Sequence, residues 1–210
     1  KFNDPEVYNM QHEITTRHAL LDEQGKLIEP GYSKGLLMDY DRKAIKGGAL
    51  RIKEWDYYLI ANNDYAVALT IADNSYMGLD GISLLDFRKP WEHTNNAMSF
   101  LTLGKRHFPA SSSNGDVSNV TKKYSITFKH NGDHRILSFH MDNFMDGKPI
   151  SGEIRLENPD QESMVIVTPF AEKDTAFYYN QKINCMPASG QVEFNGQTYV
   201  FDKESSFGVL

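Results

Sequence analysis

The stretch Lys122-Lys123-Tyr124-Ser125-Ile126-Thr127-Phe128-Lys129-His130-Asn131-Gly132-Asp133-His134-Arg135-Ile136-Leu137-Ser138-Phe139-His140-Met141 decides the fold. Apolar and polar residues alternate on both sides of Asn131-Gly132, and an Asn-Gly pair suits a two-residue hairpin turn because both residues tolerate positive φ. With His130 opposite Asp133, Phe128 faces Arg135, Ile126 faces Leu137 and Tyr124 faces Phe139. The other face then carries Lys123, Ser125, Thr127 and Lys129. Such one-sided strands belong to a sheet that covers a core or a cavity.

Asn195-Gly196 repeats the pattern, with Phe194 opposite Gln197, Val192 opposite Tyr199 and Phe201 continuing the apolar side. Further outward, alternating or aromatic-rich runs bounded by turn residues recur from Gly35 to Cys185, and sustained helical periodicity is absent. Short helical turns are expected only near Tyr40 to Ile45 and Pro90 to Asn96. The chain is therefore expected to be all-β, an antiparallel barrel or barrel-like set of sheets. The Ser-, Asn- and Gly-rich segment Pro109 to Asn119 suggests a join between a unit at 1–110 and a second at 111–210, unless one β domain runs through it.

The 210 residues carry 22 basic and 28 acidic side chains, a net charge of −6, with no basic stripe to neutralise a phosphate backbone. Nucleic acid is not an expected partner. No apolar run approaches the roughly 20 residues that span a bilayer, so no transmembrane segment is expected. One cysteine, Cys185, forms no intrachain disulfide and fits a reducing compartment, the cytoplasm.

There is no G-x-S-x-G elbow, P-loop, G-x-G-x-x-G or C-x-x-C. His134 and His140 lie about 20 Å apart on one strand, and His130 and His134 point to opposite faces, so these histidines share no ion. Neither a metal nor a cofactor is expected.

In Glu54-Trp55-Asp56-Tyr57-Tyr58, alternation puts Glu54, Asp56 and Tyr58 on one face and Trp55 and Tyr57 on the other. Two carboxylates about 7 Å apart are candidate catalytic acids, because an apolar cavity would let one hold its proton near neutral pH. The plainer reading is ion pairing with nearby Arg or Lys, or capping of a turn. Tyr178, Asn180, Lys182 and Asn184 also share a face, which offers a phenol, two amides and an amine to a ligand if it points inward, and is simply solvated if it points outward. Cys185, on the opposite face beside Ile183, reads as a small buried hydrophobe. Trp91 reads as a loop anchor.

Three segments carry a resemblance: Glu54-Trp55-Asp56-Tyr57-Tyr58, Tyr179-Asn180-Gln181-Lys182-Ile183-Asn184-Cys185-Met186-Pro187-Ala188-Ser189-Gly190, and Phe207-Gly208-Val209-Leu210. Together they resemble the bacterial family catalogued as domain of unknown function 2804. Gln11-His12-Glu13-Ile14 and Glu29-Pro30-Gly31-Tyr32 resemble that family's start. The resemblance implies a distant relation to calycin-like barrels, such as carotenoid hydratases and tocopherol cyclases, and it shifts the Asn180, Lys182 and Asn184 face toward a functional interior. It carries no catalytic residue. Family members continue past the position of Leu210, so the chain is expected to be the N-terminal part of a longer protein, with self-association through open sheet edges.

The expected function is binding of an apolar or lipid-like small molecule, walled by Trp55, Tyr57, Phe128 and Phe139 and oriented by polar groups near Lys182. The alternative is a cofactor-independent hydratase, cyclase or isomerase acting on an isoprenoid-like alkene, with Asp56 or Glu54 as general acid.

Overall fold

The computed structural model describes residues 11–158 and 160–210. In chain order its strands are β1 (His18–Ala19), β2 (Gly31–Ser33), β3 (Met38–Asp39), β4 (Glu54–Ala61), β5 (Tyr65–Asp73), β6 (Met77–Asp86), β7 (Trp91–Phe100) and β8 (Val117–Val120). They continue as β9 (Tyr124–His130), β10 (His134–Met145), β11 (Lys148–Glu157), β12 (Met164–Pro169), β13 (Phe177–Lys182), β14 (Met186–Phe194), β15 (Gln197–Phe201) and β16 (Phe207–Val209). The protein is nearly all β and its large sheet is antiparallel throughout. No helix among the described residues is long and apolar enough to cross a membrane.

Two compact units emerge, one drawn from residues up to Gly47 with Gln161–Ile183, the other from Gly48–Asp160 with Asn184–Leu210. The expected join near residue 110 falls inside the second unit, between β7 and β8. Both of those strands belong to one sheet, linked through β4, β16, β14 and β11. It is the β12–β13 hairpin that leaves this unit, to pair with β2 in the first.

In the first unit β13, β12 and β2 form a three-stranded sheet and β1 pairs with β3. Ile14, Leu20, Leu21, Met38, Val165 and Val167 make its core. The expected turn near Tyr40 appears as a 3₁₀ turn at Arg42–Ala44, capped by the Asp41 side chain, which accepts from the Lys43 N–H at 2.8 Å.

The second unit is one curled, open sheet with strand order β7-β6-β5-β4-β16-β14-β11-β10-β9-β8, and β15 also pairs with β14. Period-two alternation holds across it. Tyr58 and Ile60 of β4 register with Leu69 and Val67 of β5, which register with Ile82 and Leu84 of β6, and all six are buried. Phe128, Leu137 and Ile154 continue the inner face on β9, β10 and β11. Where β7 approaches β10, side chains take the place of a ladder. The His93 Nε2 donates to the Phe144 carbonyl at 2.9 Å, and the Asn95 amide donates to the Asn143 and Phe144 carbonyls.

The Asn195-Gly196 turn is as the sequence reads it: both residues have positive φ (51° and 76°), Phe194 pairs with Gln197 and Val192 with Tyr199. At the other hairpin the turn moves on by one residue. Asn131 pairs with His134, so Gly132 (φ 74°) and Asp133 form the loop, Leu137 faces Phe128 and Phe139 faces Ile126. Partners thus slide by two, which keeps every side chain on its expected face. Asp133 holds the slid turn by accepting from His134 Nδ1 at 2.6 Å.

Two other expectations are corrected. Pro90 to Asn96 is not a helical turn but the start of β7, where Trp91, His93 and Asn95 alternate with the more exposed Glu92, Thr94 and Asn96. Cys185 is exposed rather than buried, because β13 ends at Lys182 and Cys185 takes a left-handed φ of 55°, which breaks the alternation before β14. Gly190, inside the family-like motif, has φ 142°, and a Cβ there would collide with the Glu153 carbonyl oxygen of β11.

Candidate functional site

The second unit presents two features with chemical potential, one on inward-facing strand positions and one at the hairpin ends. The first is a recess at Asp56. Asp56 and Tyr58 point inward from β4, beside Phe128, His130 and Arg135, and the space among them is about 10 Å³, room for about one water. The Tyr58 and Phe128 rings meet edge to face at 4.7 Å. Arg135 is only 5% exposed; its Nε donates to Asn158 Oδ1 at 2.9 Å and its Nη1 to the Tyr58 hydroxyl at 3.2 Å. Burial pushes the Asp56 carboxyl up to about 6, against the opposing pull of Arg135. Burial likewise pushes the Tyr58 phenol up to about 12 and lowers His130, to which Arg135 adds.

The second feature is a cleft of about 230 Å³ where three hairpin ends converge. The β6–β7 turn supplies Lys89 and Trp91, the β10–β11 turn Met145, Asp146 and Lys148, and the β14–β15 hairpin Phe194, Gln197 and Tyr199. Trp91 lies nearly parallel to Phe194 (14°, centroids 6.0 Å apart), and Phe144 meets Phe194 edge-on at 5.2 Å. The floor is therefore aromatic and rigidly backed. Asp86 also lines the cleft, but its carboxylate is engaged: Arg88 donates to it from its backbone N–H, Nε and Nη2 at 2.9–3.1 Å, which holds Asp86 below the usual carboxylate range.

The residues singled out from sequence are distributed as follows. Glu54 and Asp56 share the inner face of β4, as alternation requires. Trp55 and Tyr57 are 39% and 38% exposed on its outer face, whereas Phe128 and Phe139 are packed in the core of the inner face. These four do not wall a common space. Tyr178, Asn180 and Lys182 lie on β13 in the first unit, half-buried, opposite the face on which Phe177 and Tyr179 meet that unit's core. Asn184 lies beyond the end of β13. Among the described residues no group of His, Cys, Asp and Glu is arranged to hold a metal.

Sequence reasoning missed the cleft. The available signal was the alternation Trp91, His93, Asn95 against Glu92, Thr94, Asn96, masked by a segment with few β-branched residues. No curated protein matches the chain, and no solved structure does. The family described as Domain of unknown function (DUF2804) matches over residues 11–210, taking in both the recess and the cleft, and the chain belongs to that family.

Proposed function

We propose that this protein binds a small molecule with a flat apolar body, seated on Trp91 in the cleft formed by the three hairpin ends. The observation that carries this reading is the aromatic floor: Trp91 is partly open while the rings behind it, Phe194 and Phe144, are buried and fix its plane. A ring laid on such a surface gains area burial and stacking at little cost in side-chain ordering. The cleft is smaller than the roughly 300–1,000 Å³ of pockets for drug-sized ligands, which points to a body of one or two rings. This reading keeps the apolar small-molecule binding expected from sequence and proposes the cleft as its place, instead of walls from Trp55, Tyr57, Phe128 and Phe139 with polar groups near Lys182.

The test is titration with prodan, a neutral naphthalene dye of two fused rings that brightens in apolar surroundings. Trp91→Ala is expected to weaken binding about tenfold, the scale of one lost stacking partner, while Lys182→Met leaves it unchanged. The reverse pattern, loss with Lys182→Met and none with Trp91→Ala, would move the site to β13.

A second reading, general-acid chemistry at Asp56, is supported by a carboxyl that burial holds protonated up to about pH 6. Against it stands the size of the recess, which admits a water and not an alkene.

A further inference from the structure

Two lysines at the cleft have no carboxylate of their own. Lys89 follows Arg88, which takes Asp86, and Lys148 opens β11; neither forms an ion pair among the described residues. The charged groups facing the cleft are thus Lys89 and Lys148 against Asp146, with Asp86 and Arg88 closed upon each other. In a chain of net charge −6 this mouth is locally cationic. Long lysine stems can reach over an apolar floor while their ammonium groups stay at its rim, and two of them set beside an aromatic plane complement an anionic group carried by a flat ring.

Resting on the reading of the cleft as a ring-binding site, we infer that its occupant is an organic acid, a planar ring of one or two units bearing a carboxylate or an equivalent anionic oxygen group. The ring covers Trp91 and the anion lies between Lys89 and Lys148. The Gln197 amide, supplied by the β14–β15 hairpin, is a further neutral donor for the anion.

The probes are 2-naphthoate and naphthalene-2-carboxamide, which share a ring and differ in charge, titrated by calorimetry against wild type and the Lys89→Met/Lys148→Met double variant. Wild type is expected to bind the acid at least tenfold more tightly than the amide. Raising salt from low to several hundred millimolar should erode that preference, since exposed charges are screened. The double variant is expected to bind the two probes equally, with its amide affinity and thermal melt unchanged. Equal binding of acid and amide by wild type would overturn the anionic selection and leave the ring-binding reading standing. Binding of neither probe at millimolar concentration would overturn both, as would undiminished affinity for both probes in the Trp91→Ala variant.

Discussion

Replacing Asp80 by Asn is expected to destabilise the protein by about 3–5 kcal/mol, because it leaves a buried guanidinium without its counter-charge. Asp80 points inward from β6 and is wholly buried. It accepts from Arg106 Nη1 and Nη2 at 2.7 Å each, from the Asn119 amide at 2.7 Å and from the Tyr124 hydroxyl at 2.9 Å. Arg106 comes from the segment after β7, Asn119 from β8 and Tyr124 from β9, so one carboxylate clasps the two ends of a sheet whose terminal strands do not pair with each other. The neighbouring Asp73 reinforces it by accepting from the Thr102 hydroxyl at 2.7 Å. In a domain of this size the melting temperature should fall by on the order of 10 °C. The double change Asp80→Leu with Arg106→Met should recover much of the loss, since no charge is then stranded. A change below 1 kcal/mol for Asp80→Asn would mean that the sheet does not depend on this clasp.

Asp56 should behave in the opposite sense. Its folded carboxyl is raised to about 6 from 3.8, so between these values the folded state holds a proton that the unfolded chain has released. Stability contributed by Asp56 is therefore fully present below about pH 4 and is lost as pH rises through 6. Asp56→Asn, which never ionises, should match wild type near pH 4 and exceed it by about 2–3 kcal/mol above pH 7. Denaturant unfolding of both proteins from pH 4 to 8 gives the difference. It isolates Asp56 from carboxylates such as Glu157 and Asp86, which their arginine partners lower and which lose stabilising charge toward acid pH. A variant no more stable than wild type at pH 8 would show that Asp56 is solvated and would end its candidacy as a proton-holding group.

Much of the sheet was legible because strand physics is local. Alternation alone separated Asp56 and Tyr58 from Trp55 and Tyr57, and positive φ at Asn195 and Gly196 fixed one hairpin's register. The Asn131-Gly132 hairpin slid because Gly132 can also serve as the first loop residue, and Asp133 then finds a partner in His134. Alternation could not be carried through Ile183 to Cys185, since a left-handed residue at 185 resets the phase, and so Asn184 lost its place on the β13 face. The cleft was out of reach for a different reason. Trp91, Lys148 and Phe194 sit in three separate hairpins, and they meet because β14 pairs with β11 while His93 and Asn95 of β7 bond to the end of β10, a long-range order that no local pattern encodes.

The chain has two tryptophans, and they separate the two places a ring could bind: Trp91 floors the cleft and Trp55 lies on the outer face of β4. Each indole N–H gives its own resonance in a ¹⁵N-labelled sample, assigned by the Trp55→Phe variant. On titration with 2-naphthoate the Trp91 signal is expected to move progressively to saturation while the Trp55 signal stays in place. Movement of Trp55 with Trp91 unmoved would contradict binding in the cleft.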